Sequence, residues 1–104
     1  MSEANLITLL GEEKLEIAGE LVKAIGHADR LSIIDLLRNN KDITVTEITQ
    51  LLNLHQSVIS QHLILMRRRG VLKRKKVGKE SHYTIASPEI EQVLDIIIAV
   101  AKKL

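Results

Sequence analysis

Eight basic side chains lie within residues 67–79, a segment that contains no acidic residue. They are Arg67, Arg68, Arg69, Lys73, Arg74, Lys75, Lys76 and Lys79. The charge of the whole chain is divided unevenly, with five basic and nine acidic residues in 1–54 but ten basic and four acidic in 55–104. Such a one-sided cluster is typical of a phosphate-binding surface, although a solvated basic face would have the same composition. The chemistry it favours is electrostatic binding of nucleic acid.

A set of short polar side chains comes just before this cluster, on a helix predicted over residues 56–69. Ile59, Leu63 and Met66 recur at helical spacing and form its predicted buried side. The opposite side carries the residues that we predict to contact DNA: Gln56, Ser57, Ser60, Gln61 and Arg68. Glutamine can bond adenine through two atoms, and serine can bond base edges or phosphate. The alternative is the ordinary polar face of an amphipathic helix.

Catalytic and metal-binding chemistry finds little support in the residue types. The chain has no cysteine, which excludes disulfides, thiolate ligands and redox thiols. Its four histidines, His27, His55, His62 and His82, are far apart and show no paired ligand spacing. There is no nucleophile–base pattern and no phosphate-binding loop. We therefore predict no cofactor, no metal site and no enzymatic activity.

The elements around the polar helix predict how these residues are positioned. Thr44 and Glu47 have the spacing of a capping box, which predicts a short helix over residues 45–52 with Ile48, Leu51 and Leu52 as its apolar side. Asn53 tolerates a positive φ and suits a tight turn, so residues 44–69 are predicted to form a helix-turn-helix. A hairpin of strands 72–77 and 81–85 follows, forming a wing over residues 72–85. Its basic residues predicted to contact the DNA backbone are Lys75, Lys76 and Lys79.

The remaining segments are predicted to be helical. Residues 3–25 have helical apolar spacing with a break at Gly11, residues 29–38 form a second helix, and Ser87 with Pro88 begins the last one. The predicted fold class is mainly α with a β-hairpin, in a single winged helix-turn-helix domain over residues 1–104.

The last helix indicates a homodimer, because residues 93–101 are apolar nearly all round. A helix that packs on one side only should show a polar face. The alternative is a monomer whose N-terminal segment wraps the last helix. We predict dimerisation through residues 1–25 and 87–104, with these contacts: Leu6, Leu10, Val93, Leu94, Ile97, Val100 and Ala101. A two-fold dimer would hold its two copies of the helix 56–69 about one turn of DNA apart, roughly 34 Å, or more.

Three blocks of the chain resemble the ArsR/SmtB family of repressors. They are residues 23–31 (KAIGHADRL) with Ile33 and Ile34, residues 52–63 (LNLHQSVISQHL), and the pair of segments 69–72 (RGVL) and 78–85 (GKESHYTI). The resemblance covers residues 15–85. It implies a winged-helix dimer that represses transcription and leaves its operator on sensing a signal. It also implies that Gln56, Ser57, Ser60 and Gln61 read the DNA.

The chain departs from this family where many relatives bind metals. Thr44, Thr46 and Thr49 occupy the region of the family's third-helix cysteines, and threonine hydroxyls do not replace thiolates for soft metals. The last helix offers Glu89, Glu91 and Asp95 but no histidine. The sequence leaves two alternatives: an effector that is not a metal, or regulation through the abundance of the protein itself.

These observations predict a sequence-specific regulator that binds double-stranded DNA, a repressor acting as a homodimer on a palindromic operator. The alternative is a winged-helix module that binds other proteins without specific DNA binding. The first residues do not look like a secretory signal, and the longest apolar stretch is shorter than the roughly 20 residues that span a bilayer. We therefore expect a cytoplasmic protein without membrane contact.

Overall fold

The computed structural model describes residues 5–104, which form five helices and one hairpin. Their order is α1 (Leu6–Ile25), α2 (Ala28–Asn39), α3 (Val45–Leu52), α4 (Gln56–Arg68), β1 (Leu72–Val77), β2 (Glu80–Ile85) and α5 (Pro88–Lys102). This is the predicted winged helix-turn-helix, so the fold class is confirmed. The predicted start of the first helix, at Glu3, lies outside the described residues. Asn5 caps α1 instead, because its side chain accepts a hydrogen bond from the Thr8 backbone N–H at 2.9 Å.

α1 consists of two helical pieces that meet at Gly11. This residue has φ 79° and ψ 162°, a backbone conformation that residues with a Cβ atom rarely adopt. The break predicted from the sequence is thus present. Leu6 and Leu10, in the shorter piece, remain 59% and 42% exposed within the protomer.

The core lies around α2, which packs against α1, α3, α4, α5 and β2. Because neighbours surround it, α2 buries both Ile33 and Ile34 completely. α4 buries Ile59, Leu63 and Met66, as its spacing predicted. The prediction for α3 was wrong at one position: Ile48 is buried, but Leu51 is 62% exposed.

The two short segments that flank α3 have the predicted local structure. Both bonds of the capping box form, from the Glu47 N–H to the Thr44 hydroxyl (3.1 Å) and from the Thr44 N–H to Glu47 Oε1 (3.0 Å). Asn53 adopts the left-handed conformation, with φ 52° and ψ 47°, and its N–H donates to the Thr49 carbonyl. The turn therefore directs α4 away from α3 at a defined angle.

The wing is an antiparallel pair in which Leu72 lies opposite Ile85 and Arg74 opposite Tyr83. Leu72 and Tyr83 are buried and attach the base of the wing to the core, while residues 73–80 are exposed. The second strand begins at Glu80, one residue before the predicted start. Thr44, at the beginning of α3, forms a β-bridge with His82 and links the wing to the helix-turn-helix.

α5 packs on α2 through Ile90 and Leu94, which are 7% and 4% exposed. The assignment of Leu94 to the dimer surface was therefore wrong, since this side chain is enclosed within its own protomer. Ile97 is half-buried against the same core, whereas Val93, Val100 and Ala101 are exposed. Among residues 5–104, no helix combines the length and the apolar character that crossing a bilayer requires.

Candidate nucleic-acid interface

The N-terminal half of α4 presents the predicted base-reading residues on one side. Gln56, Ser57 and Gln61 are exposed and Ser60 is half-buried. The fully buried Ile59 and Leu63 fix the rotation of the helix and thereby direct this polar side outwards. His55 holds the N-cap position without a side-chain cap bond, so the first backbone amides of α4 can face an incoming phosphate.

A groove runs between this half of α4, the beginning of α3 and the wing. Gln56, Ser60 and Ile64 line it on the α4 side, Thr44 and Thr46 on the α3 side, and Arg74, Lys79 and Ser81 on the wing side. The structure thus brings together three of the predicted DNA-binding residues: Gln56, Ser60 and Lys79. Lys75 and Lys76 are exposed on β1 but are not among the residues that line the groove.

Two charged residues of this groove were missed as site residues, Arg74 and Glu80. Strand alternation could have identified Arg74, because it lies two residues after the buried Leu72 and therefore on the same face of β1. Glu80 brings a negative charge to the wing, where its Oε2 lies 3.4 Å from Nε2 of His82. The wing surface is therefore less uniformly positive than the basic cluster suggests.

Arg68 lies apart from the other predicted DNA-binding residues. It stands at the C-terminal end of α4, about 18 Å along the helix axis from Gln56 at 1.5 Å per residue. There it lines a hollow together with Glu13, Glu16 and Glu20 of α1. Its neighbour Arg69 approaches Glu20, with 3.5 Å between Nη2 and Oε2. The basic run of the sequence is thus divided between the wing and an acidic face of α1.

Two histidines that are distant in the sequence meet where α4 packs against the beginning of α2. The ring centroids of His27 and His62 are 4.9 Å apart, and with Asp29 they offer three ligand atoms within 4.8 Å of one another. A metal-binding histidine normally donates its second ring N–H to an acceptor. The second nitrogen of His62, Nδ1, instead faces the guanidinium of Arg30 at 3.3 Å, which can only donate. These residues therefore fit a metal ion poorly.

The charge state of His62 follows from this environment. Burial lowers the pKa of His62 from its usual 6.5, and the nearby His27 and Arg30 lower it further, against a smaller opposing effect of Asp29. This environment therefore favours the neutral form of His62. The sequence carried no signal for this arrangement beyond the position of His62 beside the buried stripe of α4.

Comparison with known proteins identifies the family of this chain. The sequence model described as "Bacterial regulatory protein, arsR family" matches residues 27–74, from the N-cap of α2 to the first half of β1. The chain is 42% identical over 83 residues to the transcriptional repressor PagR of Bacillus anthracis, covering 80% of this chain and 83% of PagR. The PagR crystal structure has a TM-score of 0.72, at 41% identity over 82% of this chain and 97% of that one.

Two further solved structures have the same fold. HlyU from Vibrio cholerae matches with a TM-score of 0.74 and 31% identity, over 86% of this chain and 96% of HlyU. The homodimeric winged helix-turn-helix DNA-binding domain Mb0332 from Mycobacterium bovis matches with a TM-score of 0.78, at 20% identity, over 99% of this chain and 91% of that domain. At that identity the second match supports the fold alone. The chain belongs to the arsR family of bacterial regulatory proteins, and it is a DNA-binding transcriptional regulator rather than an enzyme.

Proposed function

We propose that this chain represses transcription as a homodimer that binds a palindromic operator. The observation that carries the proposal is the groove between α4 and the wing, where polar α4 residues face basic wing residues. A groove with amide and hydroxyl groups on one wall and cations on the other suits one strand of a duplex. Base edges would meet the first wall and phosphates the second.

Each group of residues has a distinct role in this proposal. Gln56 and Gln61 bond base edges in the major groove, and Ser57 and Ser60 bond bases or the nearest phosphates. Lys75, Lys76 and Lys79 neutralise phosphates along the wing and give affinity without reading sequence. Arg74 joins them, because its side chain lies inside the groove.

Two exposed apolar surfaces support the homodimer. Within the protomer, Leu6 and Leu10 of α1 and Val93 and Val100 of α5 are between 38% and 59% exposed. The radius of gyration is 15.6 Å, whereas a compact domain of about 100 residues has about 13 Å. An elongated protomer with apolar surface on its first and last helices suits a two-fold interface formed by both helices.

Repression rests on the resemblance to PagR, which is named a transcriptional repressor. HlyU, at 34% identity over 77 residues, is named a transcriptional activator, so family membership alone does not determine the sign of regulation. The chain would repress by occupying a site that RNA polymerase needs. A regulator that binds chromosomal DNA would act in the cytoplasm.

The switch that ends repression is proposed to be something other than a metal ion. Thr44, Thr46 and Thr49 offer no thiolates at α3, and Asp95 of α5 is paired with Arg38 in the same protomer. A non-metal effector, or a change in the amount of the protein, would then release the operator.

Selection from randomised duplex DNA tests the proposal. We expect an inverted repeat whose half-sites are centred about 10 base pairs apart or a multiple of this, bound by two protomers in sedimentation. Affinity should fall with salt at a logarithmic slope of about −0.9 per phosphate neutralised. Enrichment of a single half-site bound by one protomer would contradict the homodimer. No binding even at low salt would favour a module that binds other proteins. A reporter whose expression rises with the regulator would contradict repression.

A further inference from the structure

Three helices meet at the side chain of Arg30. Its Nη2 donates to the backbone carbonyl of Lys23, in the last turn of α1, at 3.0 Å. Its Nη1 lies 3.3 Å from Nδ1 of His62 on α4, while Arg30 itself belongs to α2. One guanidinium therefore joins the helix that carries the dimer surface to the helix that carries the base-reading residues.

This contact fixes the proton of His62 on one ring nitrogen. A guanidinium has donors and no acceptor, so Nδ1 of His62 must accept, and the ring proton stays on Nε2. Nε2 points towards Oδ2 of Asp29 at 3.6 Å, too far for a hydrogen bond, and has no bonded partner within residues 5–104. His62 is thus held through Nδ1, in its neutral form.

We propose that neutral His62 is a positioning residue for DNA reading: its bond with Arg30 holds α4 at the angle to α1 and α2 that operator binding requires, so that protonation of the imidazole weakens operator binding. His62 directly follows Gln61 in the chain, about 100° further round α4, and it is half-buried whereas Gln61 is exposed. A rotation of the helix about this contact would therefore displace the polar side that faces DNA. The inference rests on the proposed role of α4.

The groups around His62 explain why its protonation would disturb the contact. An imidazolium would direct an N–H at the guanidinium of Arg30, replacing a hydrogen bond with a repulsion. His27 lies on another side, and the carboxylate of Asp29 lies 3.6 Å from Nε2 of His62. The His62 side chain is only 12% exposed, so solvent screens the new charge weakly. Because burial lowers the pKa of His62, we expect His62 to become protonated below pH 6.5.

The test measures two affinities of the protein from pH 8 to pH 5.5: that for the operator obtained by selection and that for random duplex DNA. Fluorescence anisotropy in buffers that contain EDTA gives both. Protonation of exposed histidines adds positive charge, so simple electrostatics predicts that both affinities rise on acidification. The proposal predicts that operator affinity falls, by up to about tenfold per pH unit for one proton released on binding, while random DNA shows no fall.

His62→Asn is the decisive variant, because its Oδ1 can accept from Arg30 in place of Nδ1 but does not titrate. We expect it to bind the operator like the wild type at pH 7.5 and to lose the fall at lower pH. His55→Asn, which changes an exposed histidine at the cap of α4, should keep the fall.

The inference is overturned if wild-type operator affinity stays flat or rises with acid, or if His62→Asn shows the same fall as the wild type. Should His62→Asn not fold, as judged by circular dichroism, the wild-type comparison of operator with random DNA decides alone. If the polar side of α4 did not read the bases, the result would be different: Gln61→Ala would leave the preference for the operator unchanged at pH 7.5.

Discussion

Arg38 of α2 and Asp95 of α5, fifty-seven residues apart in the chain, form an ion pair through Nη1 and Oδ1. The second guanidinium nitrogen of Arg38 bonds Oδ1 of Asp35 at 3.0 Å. These bonds, that with Asp95 first, raise the pKa of Arg38 above its usual value. Asp95 interrupts the apolar run of α5, and its contact with Arg38 fixes the rotation of that helix. In this orientation of α5, Ile90 and Leu94 face the core, and Val93 and Val100 are exposed.

Asp95→Asn should therefore weaken dimerisation without unfolding the protomer. The side chain of Asp95 is 65% exposed, so we expect a change of about two- to fivefold in the dimer dissociation constant, typical of an exposed ion pair. Sedimentation equilibrium at low and high salt would measure it, and the difference from wild type should shrink as salt rises. Asp35→Asn is the matched control, because it removes a partner of Arg38 within α2 only. An equal effect of both substitutions would contradict the role given to the α2–α5 contact.

Glu47 makes the stability of α3 depend on pH. Hydrogen bonds from the backbone N–H and then the hydroxyl of Thr44 lower the pKa of Glu47 below 4.5. A carboxylate with a lowered pKa stabilises the fold above its unfolded pKa, and that contribution is lost as the pH falls through the folded value. Glu47→Gln should thus lower the urea midpoint at pH 6, and its difference from wild type should shrink as the pH falls below 4.5. Thr44→Ala should cost about 1 kcal/mol at pH 6 through the lost cap. A pH-independent effect of Glu47→Gln would contradict this assignment.

Leu94 and Val100 should respond in opposite ways to truncation, although the sequence placed both on the dimer surface. Leu94→Ala removes a core side chain and should lower the free energy of unfolding by about 2–5 kcal/mol. Val100→Ala removes exposed apolar surface and should mainly raise the dimer dissociation constant. Urea unfolding at several protein concentrations separates the two effects, because only dimer formation makes stability concentration-dependent. If the loss of stability depended on protein concentration for Leu94→Ala alone, the two roles would be reversed.

Local signals predicted most of the fold because each acts over a few residues. Thr44 with Glu47, Asn53 and Gly11 each specify a cap, a turn or a break through the backbone chemistry of that residue type. Ile59, Leu63 and Met66 faced the core because helical spacing fixes which side chains share a face. Leu51 and Leu94 were misplaced because spacing does not say how many neighbours cover a helix.

The site was predictable only where residues are close in the sequence. Gln56, Ser60 and Lys79 line the same groove, and they could be grouped from one helix and the hairpin that follows it. The Arg30–His62 contact joins residues thirty-two positions apart and depends on the packing of three helices, which no spacing rule encodes. The charge run grouped Arg68 with these residues, but Arg68 lines a separate hollow whose acidic residues belong to α1, which the sequence pattern did not indicate.

Gln61 and Lys79 should differ in what they contribute to DNA binding. Gln61→Ala should reduce the preference for the selected operator over random DNA by about 1–3 kcal/mol, as expected for one lost base contact. Lys79→Ala should weaken binding to both duplexes alike and reduce the salt slope by about 1. Competition binding at a fixed salt concentration, followed by a salt titration, measures both quantities. Unchanged specificity of Gln61→Ala would show that another side of α4 faces the bases.

Substitutions of Arg74 and Arg68 best distinguish the contribution of the groove to DNA binding from that of the rest of the basic cluster. Both carry the same charge, and only six positions separate them in the sequence. Arg74 lines the groove beside Lys79, whereas Arg68 lines the hollow that contains Glu13, Glu16 and Glu20. A phosphate near Arg68 would also meet those carboxylates, so the local field favours binding there far less.

We therefore expect Arg74→Ala to lower affinity for both operator and random DNA and to reduce the salt slope by about 1, since one phosphate contact is lost. Arg68→Ala should leave the salt slope unchanged, because the same net charge is removed outside the contact region. The pair controls for net charge, since each variant loses one positive charge. Equal slopes for the two variants would mean that long-range charge, rather than the groove, determines DNA affinity. A larger effect of Arg68→Ala would place DNA against the C-terminal end of α4.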